Sequence, residues 1–146
     1  MQFNPITPDF LTKILEIVGT ENVFTEAEHL EKYARDETED LVYYPEAVVK
    51  PNTSNQISDL MSLCNTYKIP VTPRGAGTGL SGGALPVKGG LVISMERFNS
   101  IIEIDERNLQ ATVEPGVITE FFMNAVAEKG LLYPVDPSSK GSCYIG

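Results

Sequence analysis

Apolar residues along this chain recur at helical spacing in some stretches and form short unbroken runs in others. Phe10, Leu11, Ile14, Leu15 and Val18 follow a capping threonine, Thr7, and a proline at the first helical position, Pro8, and the pattern stops at Gly19. That arrangement predicts an amphipathic helix. A second, short helix is predicted over Glu26 to Tyr33. The acidic run Arg35-Asp36-Glu37-Thr38-Glu39-Asp40 that leads to Tyr43-Tyr44-Pro45 has neither period, so it reads as irregular.

The pattern sharpens at Ala47-Val48-Val49, a short strand stopped by Pro51. Thr53, with Gln56 three residues on, makes a capping box ahead of Ile57, Leu60, Met61 and Cys64, and this spacing turns Cys64 toward the core. Ile69-Pro70-Val71-Thr72 reads as the next strand, so strand, helix and strand form a βαβ unit with parallel strands and a right-handed crossover. Leu91-Val92-Ile93-Ser94 is a further strand. Ile101-Ile102-Glu103-Ile104 and Gln110-Ala111-Thr112-Val113 flank the polar Asp105-Glu106-Arg107-Asn108 and predict an antiparallel hairpin. Val117 to Lys129 is predicted helical, with Ile118, Phe121, Phe122, Ala125 and Val126 on one face and Gly130 as the stop. From Tyr133 to Gly146 the chain reads as an extended loop without a closing element, and the expectation is of a piece of a larger domain. The fold class expected is α+β, a small parallel and mixed sheet flanked by helices.

Composition narrows the partners. At 146 residues and 42% hydrophobic the chain can bury a core of one domain. A formal charge of -9 argues against nucleic acid, whose affinity for proteins depends on lysine and arginine neutralising phosphates. Cys64 and Cys143 lie far apart with no second cysteine or histidine at ligand spacing, as expected of a reduced cytoplasmic protein. No apolar stretch reaches the length of a membrane span.

The candidate chemistry lies in glycine. Seven of the twelve glycines fall between Gly75 and Gly90, five of them in the run Pro73-Arg74-Gly75-Ala76-Gly77-Thr78-Gly79-Leu80-Ser81-Gly82-Gly83-Ala84-Leu85-Pro86. Such a run leaves the carboxyl end of a predicted strand, where α/β sheets collect ligands. Glycine there allows positive φ and removes the side chain that would keep phosphate oxygens from backbone N–H groups. Gly77 to Gly82 satisfies the dinucleotide pattern G-x-G-x-x-G, but Gly83, Pro86, Gly89 and Gly90 prevent a helix from starting within it, and no lysine stands where a triphosphate-binding loop needs one. A long loop that wraps a pyrophosphate through backbone donors, with Arg74 at its mouth, is one reading. A plain surface loop between strands is the other.

Taken with four further segments, this run resembles the pyrophosphate loop of FAD-linked oxidases of the vanillyl-alcohol oxidase and p-cresol methylhydroxylase (PCMH) type. The branch is that of the glycolate oxidase catalytic subunit, D-lactate dehydrogenases and D-2-hydroxyglutarate dehydrogenase. The segments are Tyr33-Ala34-Arg35-Asp36, Pro45-Glu46-Ala47-Val48-Val49-Lys50-Pro51, Val113-Glu114-Pro115-Gly116-Val117, and Pro134-Val135-Asp136-Pro137 with Lys140-Gly141-Ser142-Cys143-Tyr144-Ile145-Gly146. The resemblance implies the N-terminal part of a PCMH-type FAD-binding domain over residues 1–146, with the rest of that domain and a substrate domain lying elsewhere.

It also implies roles. Pro73, Arg74, Gly75, Ala76, Gly77, Thr78, Gly79, Leu80, Ser81 and Gly82 would cradle the FAD pyrophosphate. Asp136, Pro137, Ser142, Ile145 and Gly146 would line the ribityl and isoalloxazine side, and Glu114-Pro115-Gly116 would lie near the adenylate end. Members with covalent flavin can carry a histidine in the glycine loop where this chain has Thr78, so FAD is expected to be non-covalent, and the lone His29 in a predicted surface helix is no substitute. The implied reaction is oxidation of a small 2-hydroxy acid, with hydride passing to flavin N5 and electrons leaving to an acceptor the chain does not identify. No catalytic residue and no metal ligand is expected within this chain, which alone would be inactive.

Plainer readings stand beside several residues. Cys143 is expected to be a small packed residue rather than a redox group, and Glu37, Glu39 and Asp40 a solvated acidic turn rather than a metal site. Asp36 belongs to the resembling segment or simply caps the next turn, and Tyr43 and Tyr44 are expected to be half-buried. The alternative to the flavoenzyme is a non-enzymatic module that binds a nucleotide or pairs with another subunit.

Overall fold

In the computed structural model, which describes residues 2–146, the first helix, α1 (Pro8–Val18), begins where Thr7 accepts a hydrogen bond from the Phe10 N–H and ends at Gly19, whose φ of 84° few other residues tolerate. Phe10, Ile14 and Val18 are its buried stripe. Each such side chain contributes about 1.5 to 3 kcal/mol on burial. A short strand, β1 (Val23–Phe24), and a five-residue helix, α2 (Ala27–Glu31), follow. Helix α2 ends two residues before Tyr33, the predicted limit, because the chain tightens into a turn at Lys32 and Tyr33.

Strand β2 (Ala47–Val49), helix α3 (Ser54–Tyr67), strand β3 (Val71–Arg74) and strand β4 (Leu91–Ser94) build the main sheet. Its order is β1-β2-β4-β3. Strand β1 pairs antiparallel with β2, and β4 runs parallel to both β2 and β3. The predicted βαβ unit is therefore parallel, but its two strands are not neighbours. Strand β4 lies between them, a placement decided by long-range pairing that local patterning does not carry. Strand β3 also begins two residues later than the sequence suggests and extends through Arg74.

Strands β2 and β4 are buried on both faces, which is why they read as unbroken apolar runs rather than alternating ones. Ala47, Val49, Leu91 and Ile93 pack against Phe10, Ile14, Leu60 and Cys64 of α1 and α3. Val48 and Val92 face the other way, against Leu30 and Tyr33. Burial pushes the Cys64 thiol up to about 11, so it stays protonated and inert. Strand β3 is an edge strand, where Pro73, which has no N–H to donate, is tolerated.

A second, smaller layer consists of the hairpin β5 (Ile101–Asp105) and β6 (Gln110–Val113) with helix α4 (Thr119–Ala127). Asp105 accepts from the N–H groups of Arg107 and Asn108, each at 3.0 Å, and fixes the hairpin turn. Val117, Phe122 and Val126 form its core. Phe121, predicted on the buried face, is 63% exposed, because the inward stripe of α4 runs through Thr119, Phe122 and Val126 and leaves Phe121 to one side of it.

The segment beyond Tyr133 is anchored rather than open. It turns at Pro137 to Ser142 and returns along the start of α4: Tyr144 bridges antiparallel to Ile118, Ile145 N–H donates to the Val117 carbonyl at 2.9 Å, and Gly146 N–H to that of Pro115 at 2.9 Å. Tyr43 and Tyr44, expected to be half-buried, are 38% and 52% exposed. Among the described residues no helix is long and apolar enough to cross a membrane.

Candidate functional site

Strand β3 ends at Arg74, and the glycine loop begins there. From Gly75 to Ser81 no backbone N–H donates to a protein acceptor among the described residues. A run of half-exposed, unspent donors is costly to a fold unless water or an anion takes them. Gly77 has φ of 77°, and a Cβ there would collide with the Arg74 guanidinium. Gly79 is different. It has no positive φ, and a Cβ there would meet nothing within 4 Å. The protein itself does not require glycine at 79, whereas a group laid along the loop would.

Arg74 is not a free cation at the loop mouth. It is 5% exposed, and its Nη2 donates to the carbonyls of Arg35 at 2.7 Å and Lys32 at 3.1 Å, while Nη1 reaches the Ala84 carbonyl at 3.4 Å. Its guanidinium lies over the Tyr33 ring, 5.5 Å from the centroid. Burial lowers its pKa, and the neighbouring Asp36 carboxylate acts in the opposite direction. Three of the five guanidinium N–H bonds are thus directed to these carbonyls, a buried clamp that shapes the loop from behind.

Gly82 closes the far end of the loop. Its N–H donates to Thr38 Oγ1 at 2.8 Å, so it anchors the loop and is not a donor for a ligand. Asp36 Oδ1 in turn accepts from the Thr38 N–H at 2.9 Å, the turn-capping role foreseen for it, while its buried Oδ2 has no hydrogen-bond partner among the described residues. Sequence reasoning missed Thr38. The signal was present in Asp36-Glu37-Thr38, a spacing at which an aspartate caps its own turn and aims the next polar side chain.

The loop also meets the C-terminal segment. A Cβ on Gly75 would lie 2.9 Å from the Gly146 carbonyl oxygen and 3.5 Å from the Tyr144 ring. The Gly116 N–H donates to the Phe98 carbonyl at 2.6 Å, in a position where a Cβ would overlap the Met95 carbonyl. Gly75, Pro115 and Gly146 are therefore brought together. Asp136, Pro137 and Ser142 are not tied to the loop. Asp136 pairs with Lys140 at 2.8 Å and Ser142 Oγ donates to the Ser139 carbonyl. Ile145 packs against the Val117, Phe122 and Val126 cluster.

Two concavities frame these contacts. One, of about 390 Å³, is lined by Lys32, Arg35, Asp36, Arg74, Ala76 and Gly77 and adjoins the unspent N–H groups. The larger, of about 490 Å³, lies between the hairpin and α4 on chiefly apolar side chains and offers an anion little. The loop side is the candidate site. Cys143 takes no part in it: its Sγ is 3.1 Å from Thr119 Oγ1 in a half-buried packing contact.

An α+β fold with a glycine loop of free backbone donors, closed by a returning tail, defines a nucleotide-cofactor domain. The chain belongs to the FAD binding domain family, whose pattern residues 45–146 match. It is 42% identical over 141 residues to the glycolate oxidase subunit GlcD of Bacillus subtilis, and 36% identical over 143 residues to a D-lactate dehydrogenase of Anaerostipes hadrus. These alignments cover 97% and 95% of this chain but only 30% and 29% of the relatives. A solved structure of p-cresol methylhydroxylase superposes with a TM-score of 0.79 at 26% identity, over 97% of this chain and 29% of that one. The expected PCMH-type fold and FAD as cofactor are both borne out.

Proposed function

We propose that this chain is the FAD-binding N-terminal portion of an oxidoreductase that oxidises a small 2-hydroxy acid to the 2-oxo acid. The observation that carries the reading is the row of unspent N–H groups from Gly75 to Ser81, held by Arg74 and Thr38 on a chain of the FAD binding domain family. Gly75 through Ser81 would hold the pyrophosphate by backbone donation, with Pro73, Arg74 and Gly82 fixing the ends of the cradle. Gly146 would continue the site beside Gly75, and Asp136, Pro137, Ser142 and Ile145 are assigned to its ribityl and isoalloxazine side on the family resemblance. Thr78 offers no imidazole for a covalent link, so the flavin is held non-covalently by this loop. When bound, FAD supplies the acceptor for a hydride from the α-carbon.

The substrate class is taken from relatives named for glycolate and D-lactate chemistry. This chain spans about 30% of their length. The remainder of a longer protein would supply the rest of the FAD domain, the substrate-binding part and the exit of electrons. Titration of the purified chain with FAD, FMN and ADP tests the cradle. FAD and ADP should bind and FMN should not, since FMN lacks the pyrophosphate. FMN binding as tightly as FAD would show that the loop does not hold a pyrophosphate.

A further inference from the structure

We infer that Thr38 is a positioning residue for the glycine loop, and that the acidic segment from Arg35 to Asp40 is the template on which the cradle is shaped. The inference takes its ligand from the flavin reading, but the brace itself is independent of it. Three contacts join segment and loop: the Gly82 N–H donates to Thr38 Oγ1 at 2.8 Å, the Glu37 N–H donates to the Gly79 carbonyl at 3.1 Å, and Arg74 Nη2 donates to the Arg35 carbonyl at 2.7 Å. They grip the loop at its entry, its middle and its exit. The donors from Gly75 to Ser81 lie between these grips, so their direction depends on where the ends are held.

Of the three grips, only that at Gly82 depends on a side chain of the acidic segment. Glu37 acts through its N–H and Arg35 through its carbonyl, whereas Thr38 must present an oxygen. Asp36 Oδ1, accepting from the Thr38 N–H, holds the turn that presents that hydroxyl. Gly82 has φ of 70°, so this bond also fixes a residue whose backbone is otherwise free to change region. A valine has the shape of threonine without the acceptor, and a serine keeps the acceptor without the methyl group.

Amide hydrogen exchange and FAD titration on the full chain, for the wild type, Thr38→Val and Thr38→Ser, test the assignment. Thr38→Val should speed Gly82 exchange about tenfold and weaken FAD binding about fivefold to tenfold, the scale of one hydrogen bond, while Val92 exchange in the sheet is unchanged. Thr38→Ser should restore both. Wild-type Gly82 exchange in Thr38→Val overturns the inference, and so does a Thr38→Ser variant as impaired as Thr38→Val. If the wild type takes up no FAD but Gly82 exchange follows the expected pattern, the brace stands and the claim that this chain by itself holds the pyrophosphate falls.

Discussion

Gly77 and Gly79 are two residues apart and need glycine for different reasons. At Gly77 the backbone has φ of 77° and the space a Cβ would fill holds the Arg74 guanidinium. Gly77→Ala should lower stability by about 2 to 4 kcal/mol, from left-handed strain and from carbonyls of Lys32 and Arg35 left without their donor. At Gly79 nothing opposes a methyl group. Gly79→Ala should leave unfolding within about 0.5 kcal/mol of wild type, while FAD affinity falls because the methyl group enters the space assigned to the pyrophosphate. Thermal unfolding without ligand, run beside a flavin titration, separates the two. Unchanged affinity in Gly79→Ala would place the pyrophosphate elsewhere.

Helix α3 carries its own start signal and a tie to its neighbour. Thr53 Oγ1 accepts from the Gln56 N–H at 3.2 Å, Gln56 Oε1 accepts from the Asn52 N–H at 2.7 Å, and Gln56 Nε2 donates to the Ile17 carbonyl at the end of α1 at 2.9 Å. Thr53→Ala should cost about 1 kcal/mol, the usual worth of an N-cap, and Gln56→Ala more, since it also releases α1. Chemical denaturation of the two variants checks the order. These features are local, which is why α1, α3, the hairpin and the glycine loop were all legible in the sequence. Strand β1, at two residues, is shorter than any pattern can mark, and the neighbours of β4 are set by pairing across distant stretches. The same limit applied to the site. A glycine run announces itself, but the carbonyls of Lys32 and Arg35 that absorb Arg74 belong to residues whose side chains say nothing of it.

Across the whole molecule, a chain of net charge -9 places its most connected carboxylate where three elements meet. Glu96, just past β4, pairs with Lys50 at 2.5 Å, just past β2, and accepts from the Tyr33 hydroxyl at 3.3 Å, just past α2. Burial alone would raise the Glu96 pKa, but Lys50, Lys32 and Tyr33 together hold it below the ordinary value of 4.5. Its folded pKa being depressed, Glu96 stabilises the protein fully above that ordinary value and loses the contribution as pH falls through the lowered one. The difference in stability between wild type and Glu96→Gln, measured by denaturation from neutral to acid pH, should therefore shrink as acid is added. A difference independent of pH would mean that Glu96 contributes shape rather than charge. The strand that leads to Glu96 has a consequence in time. Because β4 lies between β2 and β3, pairing Ala47 and Val71 with the same Leu91, those two strands share no ladder until it arrives. The bond from Met95 to the Arg74 carbonyl, which secures the root of the loop, arrives with it. A nascent chain that has emerged only as far as the glycine loop thus holds two unjoined strands, and closure of the sheet and shaping of the cradle become one late, cooperative event governed by β4.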